Sequence, residues 1–354
     1  MRVGRGRGTS VRRAVRVLTW MLSVLLLAGC GRAERTGEDA TAAVGTETAG
    51  AEEAGADQKE AAGTDAADAN GIEAAESRET GTAEPQDGGE EGPVTMADLL
   101  RDSGNIPAQT EVPKVSDTVL WFNASYACLT YANGWDWRWV GGFEPTEENA
   151  ETAKYFLYSS WQVTDRKSGI EVVNKLLSGG HRAECRKCMD ELEEWGLMEM
   201  DGMRFGEEVL KITEGERTDI DLGDAPGRYV LAYYMYHKGM EPEYIAAWDL
   251  CRVNELYANF YLCGFMDYEE AMDASLENSL RLQKMYDSWD EMVEAYLFGY
   301  QFWQADLGGE DSPTQERRSY YEMLKNSDDS PYELDWNMEL KKSWGKAGNK
   351  AGKK

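Results

Sequence analysis

Three residues, His181, Cys185 and Cys188, have the types and the spacing of half a metal site. They occupy positions i, i+4 and i+7, which share one face of a helix, and imidazole and thiolate groups are ligands that Zn²⁺ prefers. Both cysteines also continue an apolar stripe that runs to Trp195, and a buried thiol is an ordinary core residue. The sequence therefore favours core packing over metal binding here, and no cofactor is predicted.

Asp249 and Arg252 form a second group with chemical potential, an i, i+3 pair of charges inside the otherwise apolar segment AWDLCR. A charge in such a helix needs a partner, because an unpaired buried charge is strongly destabilising. Two interpretations are open. The pair forms a buried salt bridge that sets helix register, or it lines a pocket with Trp248 and Tyr257. The sequence favours the salt bridge.

Motifs of established enzyme classes are absent from the sequence. There is no G-x-S-x-G elbow, no Walker loop, no H-E-x-x-H and no dinucleotide-binding glycine pattern. Histidine-based catalysis has only His181 and His237 to draw on. Carboxylates are abundant, and two of them flanking a glycosidic bond would suffice for hydrolysis. An extracytoplasmic hydrolase of wall polymer or glycan is therefore the alternative function.

Helix signals repeat from residue 116 to residue 325, and strand signals are scarce. Capping residues followed by apolar residues at a 3.6-residue period predict helices from Ser116 to Ala132, after Thr146, after Thr164 and after Ser288. A segment at 228–238 is apolar or aromatic on every side, which predicts a central helix. Residues 198–223 are ambiguous. We predict an all-α fold, a single compact domain of about eight helices.

The first 30 residues predict export and lipid anchoring. Six arginines precede 13 mostly apolar residues at 17–29, a run too short for a membrane-crossing helix. The segment LAGC, ending at Cys30, resembles the lipobox of bacterial lipoproteins, in which the cysteine thiol receives diacylglycerol. We predict a lipoprotein signal peptide at 1–29 and membrane attachment through Cys30 at the extracytoplasmic face. The alternative is an ordinary signal peptide with an incidental cysteine.

Charge and composition divide the rest of the chain. Residues 31–93 hold 17 acidic and 4 basic residues and no aromatic ring, so we predict a disordered acidic linker over 30–94. The α-helical domain follows at 95–340, and residues 341–354, with six lysines and no acid, predict a disordered basic tail. A net charge of −28 excludes nucleic acid as an expected partner.

Several segments in this order resemble the bacterial domain-of-unknown-function family number 1266 over about residues 155–305. They are WQVTD at 161–165, SGGHR at 178–182, AWDLCR at 247–252, the glycine of LCGFMDYEEA at 262–271, SW at 288–289 and YLFGYQFW at 296–303. The resemblance implies an α-rich domain. It implies no activity, ligand or catalytic residue.

Together these features predict a surface-tethered binding or protein-interaction module with an envelope protein or glycan as partner. Tryptophan and tyrosine are favoured contact residues at such surfaces. The candidate pocket or interaction residues are Trp161, Asp165, His181, Trp248, Asp249, Arg252, Tyr257, Trp289 and Trp303. The loop with Trp135, Trp137 and Trp139 is the candidate contact edge, with core packing of these rings as its alternative.

Overall fold

The computed structural model describes residues 114–309 and 311–344. Within this part of the chain the secondary structure is entirely helical, with eleven α-helices, which confirms the all-α prediction. None of these helices has the length and apolar character needed to cross a membrane. The predicted signal peptide, Cys30, the acidic linker and residues 345–354 of the basic tail lie outside the described residues.

The eleven α-helices of the described residues are joined by connections of different lengths. In chain order they are α1 (Asp117–Ser125), α2 (Ala127–Ala132), α3 (Glu147–Trp161), α4 (Arg166–Ser178), α5 (Gly180–Glu194), α6 (Gly202–Thr213), α7 (Pro226–His237), α8 (Ala246–Leu262), α9 (Tyr268–Met285), α10 (Trp289–Gln304) and α11 (Pro313–Lys325). Single 3₁₀ turns lie at Val140–Gly142, Pro242–Ile245 and Pro331–Glu333.

Side-chain caps determine where many of these helices begin. The side chains of Ser116, Thr146, Asp267, Ser288 and Ser312 each accept a hydrogen bond from a backbone N–H in the first turn of the helix that follows. Such bonds satisfy amide groups that have no partner within the helix. These helix starts therefore follow from residues that are close together in the sequence.

The helix count differs from the prediction of about eight in two places. The helix predicted from Ser116 to Ala132 is two helices, because Tyr126 leaves the helical conformation and its hydroxyl donates to Asn123 and accepts from the Gly141 amide. The ambiguous segment 198–223 contains α6, which is capped by Asp201 and buries an apolar face. One further start moves by a residue, since Asp165 caps α4.

Helix α8 is the centre of the domain, with 16 of its 17 residues buried. It packs against α3, α4, α5, α9 and α10. The larger hydrophobic core includes buried residues of α3, α4, α8, α9 and α10. Helices α5, α6 and α7 enclose a second, smaller core. The prediction that residues 228–238 form the central helix is wrong, because several tyrosines of α7, such as Tyr236, carry their rings toward the surface.

The packed chain continues to Trp344, beyond the boundary predicted at residue 340. Trp344 is buried, meets the ring of Phe122 edge-on at a centroid distance of 5.7 Å and donates its indole N–H to Asp273. Lys342 forms ion pairs with Glu269 and Asp273 at 2.8 Å each. The first residues of the predicted tail are thus part of the domain surface.

Candidate functional site

Asp249 lies in the first turn of α8 and is completely buried. Both of its carboxylate oxygens lie 3.2 Å from the backbone nitrogen of His181. Arg182 Nε donates to Oδ2 at 3.2 Å, and Arg252 Nη2 donates to Oδ1 at 2.9 Å. Burial raises the pKa of Asp249, but the contacts with His181 and the charge of Arg252 outweigh burial and hold that pKa below its usual value. Asp249 is therefore an ionised, fully hydrogen-bonded carboxylate.

The junction between α4 and α5 supplies these donors because it contains Gly180. Its φ of +51° lies in the left-handed region that favours glycine. A Cβ at this position would lie 2.4 Å from the Asp249 carboxylate, so a side chain here would displace that carboxylate. The absence of a side chain lets the N-terminus of α5 approach Asp249, where an anion is favourable.

The imidazole ring of His181 turns its Nδ1 atom toward the ion pair of Asp249 and Arg252. Its Nδ1 lies 2.9 Å from Arg252 Nη2 and 3.3 Å from Asp249 Oδ1. Because a guanidinium only donates, Nδ1 accepts from Arg252 and the ring proton sits on Nε2. Burial lowers the pKa of His181, the nearby charge of Arg252 adds to this, and the opposing effect of Asp249 is smaller in sum. The imidazole is thus neutral at neutral pH.

Arg252 is held between two indole rings. Its Cζ lies 4.0 Å from the centroid of the Trp248 ring and 5.3 Å from that of Trp161. On its other side Trp248 packs against Trp303 at 5.5 Å. We call Trp161, Arg252, Trp248 and Trp303 the Arg252 stack. Its two inner members are buried and its two outer rings are half-buried.

The close packing of α10 on this stack depends on Gly299. A Cβ there would lie 2.3 Å from the Cβ of Trp248, so α10 approaches α8 only because the side chain is a hydrogen atom. This glycine belongs to the segment YLFGYQFW, which also supplies Tyr300 and Trp303 to the rings around Trp248.

Two of the five N–H donors of Arg252 have no acceptor within the described part of the chain. Nε donates to the Trp248 carbonyl at 2.9 Å, and Nη2 donates to Asp249 and His181. A guanidinium carries five N–H groups, and the remaining two, both on Nη1, meet no acceptor among residues 114–309 and 311–344. The side chain is 7% exposed.

The family described as "Protein of unknown function (DUF1266)" matches residues 156–336. The chain belongs to this family. Neither a curated protein nor a solved structure matches the chain. The family match begins within α3 and ends 31 residues beyond the resemblance noted at 155–305, so the DUF1266 domain includes α11 and the 3₁₀ turn that follows.

Six of the nine candidate pocket residues meet around Asp249 in the DUF1266 domain: Trp161, His181, Trp248, Asp249, Arg252 and Trp303. The other three lie elsewhere. Asp165 is the exposed cap of α4, Tyr257 is two turns further along α8 beside Phe260, and Trp289 packs against Trp121 and Trp336. Arg182 and Gly180 join the site without having been predicted, although both stand within the SGGHR segment.

The three tryptophans of the candidate contact edge face mainly into the domain. Trp135 meets Phe143 at 4.5 Å and Phe156 at 5.2 Å, both edge-on. Trp137 is buried, and Trp139 is half-buried. This placement fits the alternative in which the rings fill the bundle.

Cys185 and Cys188 lie in the second core of the DUF1266 domain, where burial raises the pKa of each thiol to about 12. Cys185 Sγ lies 3.5 Å from the sulfur of Met235. His181 is engaged with Asp249 and Arg252 instead. Within the described residues no group of three or more histidine, cysteine, aspartate or glutamate side chains could hold a metal ion.

Glu255, less than two turns after Asp249 on α8, is a buried carboxyl that the sequence interpretation missed. Its Oε1 is 3.5 Å from Asn133 Nδ2, and its Oε2 is buried without a hydrogen-bond partner in the described structure. Burial raises the pKa of Glu255 to about 8, although the charges of Arg317 and Arg252 oppose the shift. The available signal was a glutamate three residues after Arg252, in a part of the sequence whose other residues are mostly apolar.

Proposed function

We propose that this protein is a lipid-anchored binding or protein-interaction module of the cell envelope, attached through Cys30 at the extracytoplasmic face. The sequence supports this with a signal-like segment at 1–29, the cysteine that follows it and a long acidic segment without aromatic residues. A long acidic linker of this kind would allow the helical domain to reach partners away from the membrane surface.

The Arg252 stack is the observation that carries the binding role. It combines half-buried rings, Trp161 and Trp303, with a guanidinium that still has two N–H groups to offer. Tryptophan and arginine are the residue types that contribute most often to binding hot spots. The stack is held in place by α3, α8 and α10, so a ligand would meet a preformed surface.

The same geometry supports binding over the alternative, a glycan hydrolase. A carboxylate that acts as base or nucleophile needs access to substrate, and glycosidases place two carboxyl groups on either side of the bond. Asp249 is buried under donors from His181, Arg182 and Arg252. Glu255 is 1% exposed. These two carboxyls of α8 favour a structural and electrostatic role.

Replacement of the anchoring thiol tests the location. We expect Cys30→Ala to release the protein into the medium or leave it unprocessed, because the variant has no thiol at this position to which diacylglycerol could be attached. Cys263→Ala, at a cysteine of the folded domain, is the matched control and should remain with the membrane. Membrane retention and acylation of the Cys30→Ala protein would contradict the proposed anchor.

Cross-linking on intact cells tests the binding role. A photoreactive residue in place of Trp303 should yield a reproducible covalent product with an envelope protein or a glycan. The control carries the same group at Met285, which is 39% exposed on α9 and distant in sequence from the stack. Equal yields at both positions, or no product at Trp303, would argue against a contact surface at the Arg252 stack.

A further inference from the structure

We infer that Arg252 binds a carboxylate of the ligand through Nη1, while a flat face of the same ligand lies on the half-buried ring of Trp161. This inference adds the chemical class of the ligand to the proposed function, and it depends on that function for the role of the site. The juxtaposition that carries it is a guanidinium with two unused N–H groups, held 5.3 Å from a ring that solvent reaches.

An arginine with a purely structural role is expected to use its donors within the protein. Arg252 is 94% buried and its three hydrogen bonds use only three of its five N–H groups, whereas solvent reaches the remaining nitrogen, Nη1, which is not among the buried atoms that lack a partner. The remaining pair forms a donor site that an acceptor from outside the described residues would complete.

Local charge selects an anion at this position. Arg182 and Arg252 share a single ionised carboxylate, Asp249, and His181 is neutral, so the cluster carries a net charge of about +1. The acidic neighbour Glu184 is paired with Arg228 at 3.1 Å. An anionic oxygen would bind this positively charged group with a charge-assisted hydrogen bond.

The site is already ordered, which lowers the cost of binding. The Arg252 side chain is fixed by hydrogen bonds to Trp248, Asp249 and His181 and by the rings on both of its faces. A ligand therefore need not immobilise a long side chain. The ring of Trp161 adds a flat apolar surface that suits an aromatic group or the face of a sugar.

Benzoate and benzamide are matched probes, since they share size and ring but differ in charge. We expect saturable binding of benzoate to the purified full-length protein, measured by saturation-transfer NMR, with benzamide about 10- to 100-fold weaker through loss of a charge-assisted hydrogen bond. Trp161→Ala and Arg252→Lys should each weaken benzoate binding at least about tenfold. Trp195→Ala, at a half-buried ring of the second core, should bind benzoate as the unaltered protein does.

Circular dichroism of each variant separates loss of the site from loss of the fold. If Arg252→Lys unfolds, the comparison of the two probes on the unaltered protein and on Trp161→Ala still decides. Equal affinity for benzoate and benzamide, or unchanged benzoate binding by folded Trp161→Ala, overturns the inference, and so does the absence of saturable benzoate binding. If cross-linking on cells captures a partner while benzoate fails, only the carboxylate inference is lost. If benzoate binds but no partner is captured, the proposed function fails and the site stands.

Discussion

Glu255→Gln replaces the buried carboxyl of α8 with a neutral side chain of the same size. Glu255 faces the positive charges of Arg252 and Arg317 and the phenol of Tyr126, and its Oε2 has no hydrogen-bond partner in the described structure. On the next turn of α8 the amide oxygen of Asn259 is also a buried acceptor without a partner. Burial is the physical reason for the raised pKa of Glu255, because it disfavours the charged carboxylate more than the charges of Arg317 and Arg252 favour it.

The magnitude follows from the shift of that pKa from 4.5 to about 8. The folded protein binds this proton more tightly than the unfolded chain, so the free energy of unfolding falls as the pH rises between these values. Below about pH 4.5 both states are protonated and the effect vanishes, whereas above pH 8 the full penalty of about 5 kcal/mol applies. Between pH 5 and pH 7 the loss from Glu255 is about 2.5 kcal/mol.

Urea unfolding at pH 5 and pH 7 measures this loss. The stability of the unaltered protein should fall between these pH values by about 2.5 kcal/mol more than that of Glu255→Gln. The variant should therefore be the more stable protein at pH 7. Glu207→Gln, at an exposed glutamate of α6, should reproduce the pH dependence of the unaltered protein. If Glu255→Gln also reproduces it, the carboxyl is ionised in the fold at both pH values and the reasoning is refuted.

Three further predictions concern the packing around Asp249. Gly180→Ala should reduce the free energy of unfolding by more than about 2 kcal/mol in urea titrations, because the new Cβ meets Asp249. Gly196→Ala, with φ of +66° and no neighbour within 4 Å, should cost only about 1 kcal/mol. Asp249→Asn should cost about 3–5 kcal/mol by leaving buried guanidinium charge uncompensated, and a loss below 1 kcal/mol would contradict that account. Gly299→Ala should lower the melting temperature and change near-UV circular dichroism, since Trp248 must move; an unchanged spectrum would contradict this.

Local signals in the sequence determined the fold class and most helix starts. Ser288 caps α10, and the apolar residues after it repeat at the helical period, because capping and periodicity involve residues at most four positions apart. The family resemblance, confirmed by the match over 156–336, followed from short segments in a fixed order. The same two signals are present at α6, where Asp201 caps the helix and apolar residues follow at helical spacing. The glycines and charged residues around them made this helix harder to recognise in the sequence.

The tertiary structure alone decided what those segments do together. Asp249 meets the backbone of His181 across 68 residues of sequence, and its pairing with Arg252, which the sequence favoured, is only one part of a larger cluster with Arg182. The sequence also gave no sign that Trp289 belongs to a different group of rings, or that Glu255 would lack a partner. Such contacts depend on how helix surfaces fit against one another. The period of apolar residues reports which face of a helix is buried, but not which other helix covers it.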